Sequence, residues 1–245
     1  MSFKVSVVLA TRFRDELLQK CLKSFEGQAH VLETIVVRDE DANPMGCEQA
    51  RNKGAEQVSA QSTHLYFTDD DCTLEHGCLE KLCMAPSGFG GSGGSVVNMS
   101  APFYYEKVWS YIIPPMTIND EGRIVDLSDF YVEVDKWFEA DHLRGGNMLV
   151  SKEAFSKVGG MSLEYGAGTI RGETDLCLKL REAGYKLWFN PTARVLHYKK
   201  PRPMTEVENA SDKMWRKKWQ PKKFLGGWRH FAPASVVASG LRRVR

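Results

Sequence analysis

The chain has 245 residues, of which 42% are hydrophobic and 26% are charged, and this composition excludes a disordered or fibrous protein. Its length is sufficient for one large α/β domain or two small ones. The net charge is only +2, but residues 199–245 carry +10 while residues 1–198 carry −8. The C-terminal segment is therefore expected to meet an anionic partner.

Targeting signals and cysteines bear on the cellular location. The first residues, MSFKVSVVLATRFRDE, show neither a basic leader nor a small-residue cleavage site. No apolar run approaches the roughly 20 residues that span a bilayer. The 6 cysteines form no CxxC pair and no spacing typical of a disulfide scaffold. We therefore expect reduced thiols and a cytoplasmic location.

Strand and helix patterns alternate in the first 70 residues. Apolar, β-branched runs predict three buried strands: 4–10, 33–39 and 64–69. Helical spacing of apolar residues predicts helices over 15–25 and 47–60. This order predicts an α/β fold of right-handed βαβ units, with a mostly parallel central sheet flanked by helices.

Polar residues follow each of the three predicted strands. They are Thr11–Arg12, Arg38–Asp39 and Asp69–Asp71. Parallel sheets bind ligands at the carboxyl ends of their strands, so these residues are expected to line a site.

Three adjacent aspartates, Asp69, Asp70 and Asp71, need a physical explanation. Like charges this close repel, so they require a counterion, a hydrogen-bond network or exposure to water. Alternate residues of an extended segment point the same way, so Asp69 and Asp71 can face one site while Asp70 points elsewhere. An exposed acidic turn that caps the next helix is the alternative.

The middle and end of the domain continue the mixed pattern. The glycine-rich segment 85–94 lacks the Lys-Ser/Thr of a P-loop, and we interpret it as a flexible turn into a strand at 95–99. Residues 145–161 predict a strand and then a short helix with Ser151 as N-cap. An amphipathic helix over 172–185 is expected to end at Gly184, and the strand-like segment 186–198 is broken by Pro191.

Seven segments, in this order, resemble the family 2 inverting glycosyltransferases. They are VSVVLATRFR (5–14), ETIVVRDED (33–41), ARNKGA (50–55), YFTDDDC (66–72), GGNMLVSKEAFSKVGGM (145–161), GETDLCLKLREAGY (172–185) and PTARVLH (191–197). The resemblance implies a GT-A fold over residues 1–198. Residues 1–99 would form its nucleotide-sugar-binding half and residues 100–198 its acceptor and catalytic half, followed by a basic, aromatic extension over 199–245.

The resemblance implies a metal site built on the aspartates. A divalent ion offsets the charge of the donor diphosphate, and carboxylate oxygens suit Mn²⁺ or Mg²⁺. The family pattern gives the metal to Asp71, and gives Asp69 the ribose or a metal-bound water. His197 would complete the metal coordination, although a single histidine is more often a packed or surface residue.

A carboxylate base is also implied, because the acceptor hydroxyl must lose a proton as it attacks the anomeric carbon. Alignment on DLCLKL places Glu173 at the base position, and a shift of one residue favours Asp175 instead. Both residues fall in the first turn of a helix, where acidic side chains stabilise the dipole whatever the function.

The remaining donor and acceptor contacts follow from the same resemblance. Thr11, Arg12 and Asp39 would hold the base and ribose, with Asp70 beside them. Arg51 could reach the diphosphate, although pairing on the helix surface explains it almost as well. Gly145, Gly146 and Asn147 would let the backbone and the acceptor approach closely, with a simple turn as the alternative.

The segment 212–228 of the tail mixes tryptophan and phenylalanine with five lysines and one arginine. Such mixtures suit a membrane interface, so we expect peripheral contact with anionic lipid at the inner face of the membrane. Folding back over the donor site, or contact with another protein, are the alternatives. No nucleic acid is expected as a partner.

These observations predict a metal-dependent inverting glycosyltransferase. It would move a sugar from a nucleotide-diphospho-sugar, with UDP favoured, to a glycan or glycolipid hydroxyl. A non-catalytic sugar-nucleotide-binding scaffold is the first alternative. A sugar nucleotidyltransferase is the second, but the glycine-rich loop that it needs after the first strand is missing.

Overall fold

The structure is a computed structural model that describes residues 2–99, 112–113, 116–118, 124–126, 130–132, 137–168, 171–198, 205–219 and 241–243. Its first elements are β1 (Val5–Thr11), α1 (Asp15–Lys23), β2 (Val31–Arg38), α2 (Cys47–Gln57), β3 (His64–Asp69), β4 (Cys72–Leu74), α3 (Cys78–Cys83) and β5 (Phe89–Asn98). They are followed by β6 (Ile112–Ile113), β7 (Met116–Ile118), β8 (Ile124–Asp126), β9 (Phe130–Val132), β10 (Phe138–Glu139), β11 (Met148–Ser151), α4 (Lys152–Lys157), α5 (Gly172–Glu182), β12 (Lys186–His197), α6 (Glu206–Trp219) and β13 (Leu241–Arg243).

The main sheet has the strand order β10-β12-β5-β11-β3-β1-β2, with β4 beside β12 and β6 beside β5. The βαβ prediction is confirmed for β1, β2 and β3, which are parallel. The sheet as a whole is mixed and not mostly parallel, because β11 enters antiparallel between β3 and β5. Two small pairs, β7 with β8 and β9 with β13, lie outside this sheet.

The core lies on both faces of the sheet, as alternation along the strands requires. On one face Val7, Leu9 and Tyr66 pack with α1 and α3. On the opposite face Val8 and Phe67 pack with α4 and α5. Full burial of each such side chain stabilises the fold by about 1.5–3 kcal/mol. Both faces of the sheet are therefore covered, and its carboxyl edge is left for polar residues.

The glycine-rich segment 85–94 differs from the prediction. It was expected to be a turn before a strand at 95–99, but most of it belongs to β5 itself. Neighbouring strands crowd this part of β5: a Cβ atom on Gly94 would lie 1.9 Å from the carbonyl oxygen of Ala193. The segment pairs with β11 and β12 within the sheet. Glycine is present here because the neighbouring backbones approach too closely for a side chain.

The predicted helix termini agree with the structure. Ser151 is the N-cap of α4, and its hydroxyl accepts a hydrogen bond from the Ala154 N–H. The chain leaves α5 through Gly184, which adopts a left-handed φ of 86°. Local signals were therefore sufficient to predict where α4 begins and where α5 ends.

Pro191 lies within β12 and does not end it. The pairing of β12 with β5 has an irregularity between Asn190 and Arg194, which accommodates the proline. Beyond it the strand continues to His197, which pairs with Cys72 of β4. The irregular strand thereby brings His197 next to the aspartates.

Candidate functional site

The carboxyl ends of three parallel strands meet at one edge of the sheet. In the pairing of β1 with β2, Thr11 is opposite Arg38, and in the pairing of β1 with β3, Ala10 is opposite Asp69. The polar residues that follow these strands are therefore brought together, as the parallel arrangement predicted.

A group of side chains that could hold a metal ion lies at this edge. Asp69, Asp71, Cys72 and His197 each offer one ligand atom, and these atoms lie within 4.8 Å of one another. The His197 Nε2 atom is 3.1 Å from Asp71 Oδ1. Two carboxylates and an imidazole form a donor set that fits Mn²⁺ or Mg²⁺, and the thiol adds a softer donor.

Asp70 is held apart from that group. Its side chain is fully buried and accepts a hydrogen bond of 2.6 Å from the Thr11 hydroxyl. Burial raises the pKa of Asp70, although the Thr11 hydroxyl and Arg14 oppose that rise. Thr11 and Asp70, both predicted to contact the donor, thus bind each other in this structure.

Arg14 is a site residue that the sequence interpretation missed. One of its terminal nitrogens lies 3.0 Å from Asp70 Oδ1 and the other 2.6 Å from Asp71 Oδ2. Arg14 therefore offsets the repulsion between two of the three aspartates. The TRFR run at the end of the first strand was the available signal, because it placed a second arginine near the aspartates.

Arg51 is buried beneath the site, with 4% of its side chain exposed. It binds Asp69 Oδ1 at 2.7 Å and donates to the carbonyl oxygen of Gly145 at 3.1 Å. A Cβ atom on Gly145 would lie 2.6 Å from the guanidinium, so the absence of a side chain makes this contact possible. Arg51 thus ties the end of β3 to the loop before β11.

The loop before β11 is held by hydrogen bonds to neighbouring strands. The Thr68 hydroxyl donates to the carbonyl oxygen of Gly146 at 2.8 Å. Asn147 is fully buried, accepts from the Tyr66 hydroxyl at 3.0 Å and donates to the carbonyl oxygen of Ala193 at 2.9 Å. Asn147 therefore cross-links strands and fixes the loop. Its side-chain amide forms these hydrogen bonds within the protein.

The second strand end holds Asp39, which is 6% exposed. Its two carboxylate oxygens accept from the N–H groups of Met45 and Gly46 at 3.0 and 3.1 Å. Arg12, at the first strand end, is exposed, and its guanidinium lies 5.5 Å from the centre of the Phe13 ring. Asp39 therefore holds the backbone that immediately precedes α2, and Arg12 projects toward solvent.

The two candidate bases have different environments. Asp175 is fully buried, and its Oδ1 atom accepts from Tyr165 at 2.7 Å, Lys218 at 2.8 Å and Trp219 at 2.7 Å. Glu173 is half-buried, and its carboxylate forms no hydrogen bond or ion pair within the described part of the chain. The choice of base stays a prediction, and accessibility favours Glu173.

Glu48, in the first turn of α2, is a second residue that sequence reasoning missed. It is 6% exposed and packs against the backbone of Gly172, where a Cβ atom would lie 2.3 Å from its carboxylate. Burial, with a smaller contribution from Glu173, raises the pKa of Glu48 to about 7. No local pattern identifies this residue, because its burial depends on the start of α5.

The described part of the C-terminal extension differs from the expected membrane-facing surface. Trp215 and Trp219 of α6 are 1% and 4% exposed, so neither presents its ring to a lipid surface. Phe224 and Trp228 lie outside the described residues. Among the helices that the structure describes, none is both long and apolar enough to cross a membrane.

Comparisons with known proteins give matches in structure alone. No family model and no curated protein matches the chain. A crystal structure of GalNAc-T7 with UDP, GalNAc and Mn²⁺ matches with a TM-score of 0.70 and 14% identity, covering 91% of this chain. The mannosyltransferase PcManGT from Pyrobaculum calidifontis, in complex with GDP-Man and Mn²⁺, matches with a TM-score of 0.56 and 15% identity, covering 81%.

The chain has the GT-A fold. This agrees with the fold that the sequence resemblance implied. The match covers 49% of the GalNAc-T7 chain and 58% of the PcManGT chain, so this protein spans about half the length of both structures.

Proposed function

We propose that this protein is a glycosyltransferase that uses a nucleotide-diphospho-sugar and a divalent metal ion. The observation that carries the proposal is the group of Asp69, Asp71, Cys72 and His197 at the carboxyl edge of the sheet. Both structural neighbours share the GT-A fold, and both were solved with Mn²⁺ and with a nucleotide or nucleotide sugar.

Asp71 and His197 would hold the ion, with Asp69 beside it. A bound Mn²⁺ or Mg²⁺ would supply positive charge for the diphosphate leaving group. The chain itself contributes the arrangement of the carboxylates: Arg51 fixes Asp69, and Arg14 adjoins Asp71. Both arginines place further positive charge near the expected diphosphate position.

Glu173 would act as the base of an inverting single displacement. The acceptor oxygen bonds to the anomeric carbon while the bond from that carbon to the diphosphate oxygen breaks, and Glu173 accepts the hydroxyl proton. Its support is an accessible carboxylate near Glu48 and Arg51 on α2, whereas the carboxylate of Asp175 is enclosed. The inverting outcome and membership of family 2 rest on the sequence resemblance.

The donor base, the acceptor and the location are proposed on the sequence alone. A UDP-sugar is the donor that we favour, and a glycan or glycolipid is the acceptor. The location that we propose is the cytoplasm, with part of the basic extension at an anionic membrane surface.

Thermal stabilisation by UDP, GDP, CDP and dTDP, each with and without Mn²⁺, is the direct test of donor binding. A ligand at 100 times its Kd adds about 2.7 kcal/mol to the stability of the native state. For a chain of this size that corresponds to a rise in Tm of about 5–11 °C. A Mn²⁺-dependent rise with one nucleotide supports the proposal and identifies the base. No rise with any of them contradicts the proposal.

Glu173→Gln tests the catalytic assignment. We expect transfer to fall by at least about 100-fold because the acceptor proton has no base, with the Kd for nucleotide and Mn²⁺ within twofold of the wild-type value. Asp175→Asn is the comparison variant. Near-normal transfer by Glu173→Gln, together with inactive but folded Asp175→Asn, would assign the base to Asp175 instead.

A further inference from the structure

Helix α6 packs against the beginning of α5, the helix that carries Glu173. Trp215 and Trp219 of α6 are buried there, at 1% and 4% exposure. The contact joins segments that are more than 40 residues apart in the chain. It therefore fixes α5 from outside its own sequence neighbourhood.

The first anchor lies two residues before Glu173. Arg171 is the N-cap of α5 and has a left-handed φ of 88°, which is uncommon for a residue other than glycine. Its Nε and Nη2 atoms lie 2.7 and 2.6 Å from Oδ1 of Asp212 on α6. The guanidinium also lies 5.3 Å from the centre of the Trp215 ring. Tertiary contacts with α6 thus hold an unfavourable backbone conformation at the helix start.

The second anchor lies two residues after Glu173. Lys218 and Trp219, both on α6, donate to the same buried oxygen of Asp175 at 2.8 and 2.7 Å. Lys218 also binds Glu164, in the loop that precedes α5. A charge-assisted bond to a fully buried carboxylate is among the stronger hydrogen bonds in proteins, so this anchor restrains the turn strongly.

We propose that α6 is a positioning element of the active site, which holds the first turn of α5 at both ends so that Glu173 keeps its place. The inference rests on the proposed role of Glu173 as the base. Helix termini are the parts of helices that fray most readily, and the turn with Glu173 lies at one. A displacement of about 1 Å of a catalytic group can lower a rate by about 100-fold. Lys218, Trp219 and Asp212 are then positioning residues.

Two conservative variants remove single donors of this contact, Lys218→Met and Trp219→Phe. The matched control is Lys217→Met, because Lys217 neighbours Lys218 on the same helix and is exposed. We expect kcat for sugar transfer to fall at least about tenfold in the two variants, with the Kd for nucleotide and Mn²⁺ within twofold of wild type. Lys218→Arg, which keeps a donor, is expected to recover part of kcat.

An equal loss in kcat and nucleotide affinity would overturn the inference, because it would indicate general damage to the fold. A kcat within twofold of wild type for Lys218→Met combined with Trp219→Phe would overturn it as well.

Amide hydrogen exchange tests the same contact without catalysis. We expect the amides of residues 175–177, the first amides of α5 that have intrahelical acceptors, to exchange at least about tenfold faster in Trp219→Phe and in Asp212→Asn than in Lys217→Met. The amides of β1 and β3 are expected to be unchanged. Unchanged exchange at 175–177 would refute the role of α6 whatever the activity. Faster exchange in a protein that turns over no nucleotide sugar would refute the proposed function and leave the restraint by α6 supported.

Discussion

Glu48→Gln is expected to make the protein more stable at alkaline pH and to leave its stability nearly unchanged near pH 5. Glu48 is buried in the first turn of α2, and burial raises its pKa from 4.5 to about 7. Glutamine keeps the size of the side chain and removes the charge. The variant therefore isolates the cost of ionising this carboxylate in the folded protein.

The sign follows from proton binding in the two states. Between pH 4.5 and about 7 the folded protein keeps a proton on Glu48 that the unfolded chain has lost. The contribution of Glu48 to the free energy of unfolding therefore falls as pH rises through this range, and the loss is complete above the folded pKa. The rise of the Glu48 pKa from 4.5 to about 7 corresponds to a loss of about 3 kcal/mol at pH 8 and less than about 1 kcal/mol at pH 5.

Urea unfolding of metal-free protein at pH 5 and pH 8 measures this difference. The control is Glu56→Gln, which removes an exposed carboxylate from the same helix. We expect Glu48→Gln to exceed the wild type by about 3 kcal/mol at pH 8, and the control to differ little at either pH. A stabilisation of the same size at both pH values, or a Glu48→Gln variant that is no more stable than the wild type at pH 8, would refute the reasoning.

Two further substitutions test the site and the sheet. Asp71→Asn is expected to weaken Mn²⁺-dependent nucleotide binding at least about tenfold, measured by titration calorimetry, because a charged ligand is lost; unchanged affinity would remove Asp71 from the metal site. Gly94→Ala is expected to cost about 3 kcal/mol or more, seen as a Tm lower by about 6–12 °C, because its Cβ would overlap the Ala193 carbonyl. A Tm of Gly94→Ala equal to that of the wild type would show that β5 can move away from β12.

The sequence by itself determined the elements that local patterns encode. Apolar, β-branched runs predicted β1 and β3, and short-range signals at Ser151 and Gly184 predicted the start of α4 and the end of α5. The parallel βαβ order also predicted that Thr11 and Asp69 would reach the same edge. The predictions of single elements depend on residues that are close in the chain, so apolar pattern and capping chemistry are sufficient for them. The common edge follows from the rule that parallel strands present their carboxyl ends together.

Tertiary structure alone decided the partners of the site residues. The antiparallel entry of β11 made the sheet mixed, and strand periodicity contains no information on strand direction. The burial of Asp175 depends on Lys218 and Trp219, more than 40 residues further along the chain. Glu48 and Arg14 likewise obtain their roles from Gly172 and the aspartates. Such roles arise from burial and non-local contact, which exist only once the chain has folded.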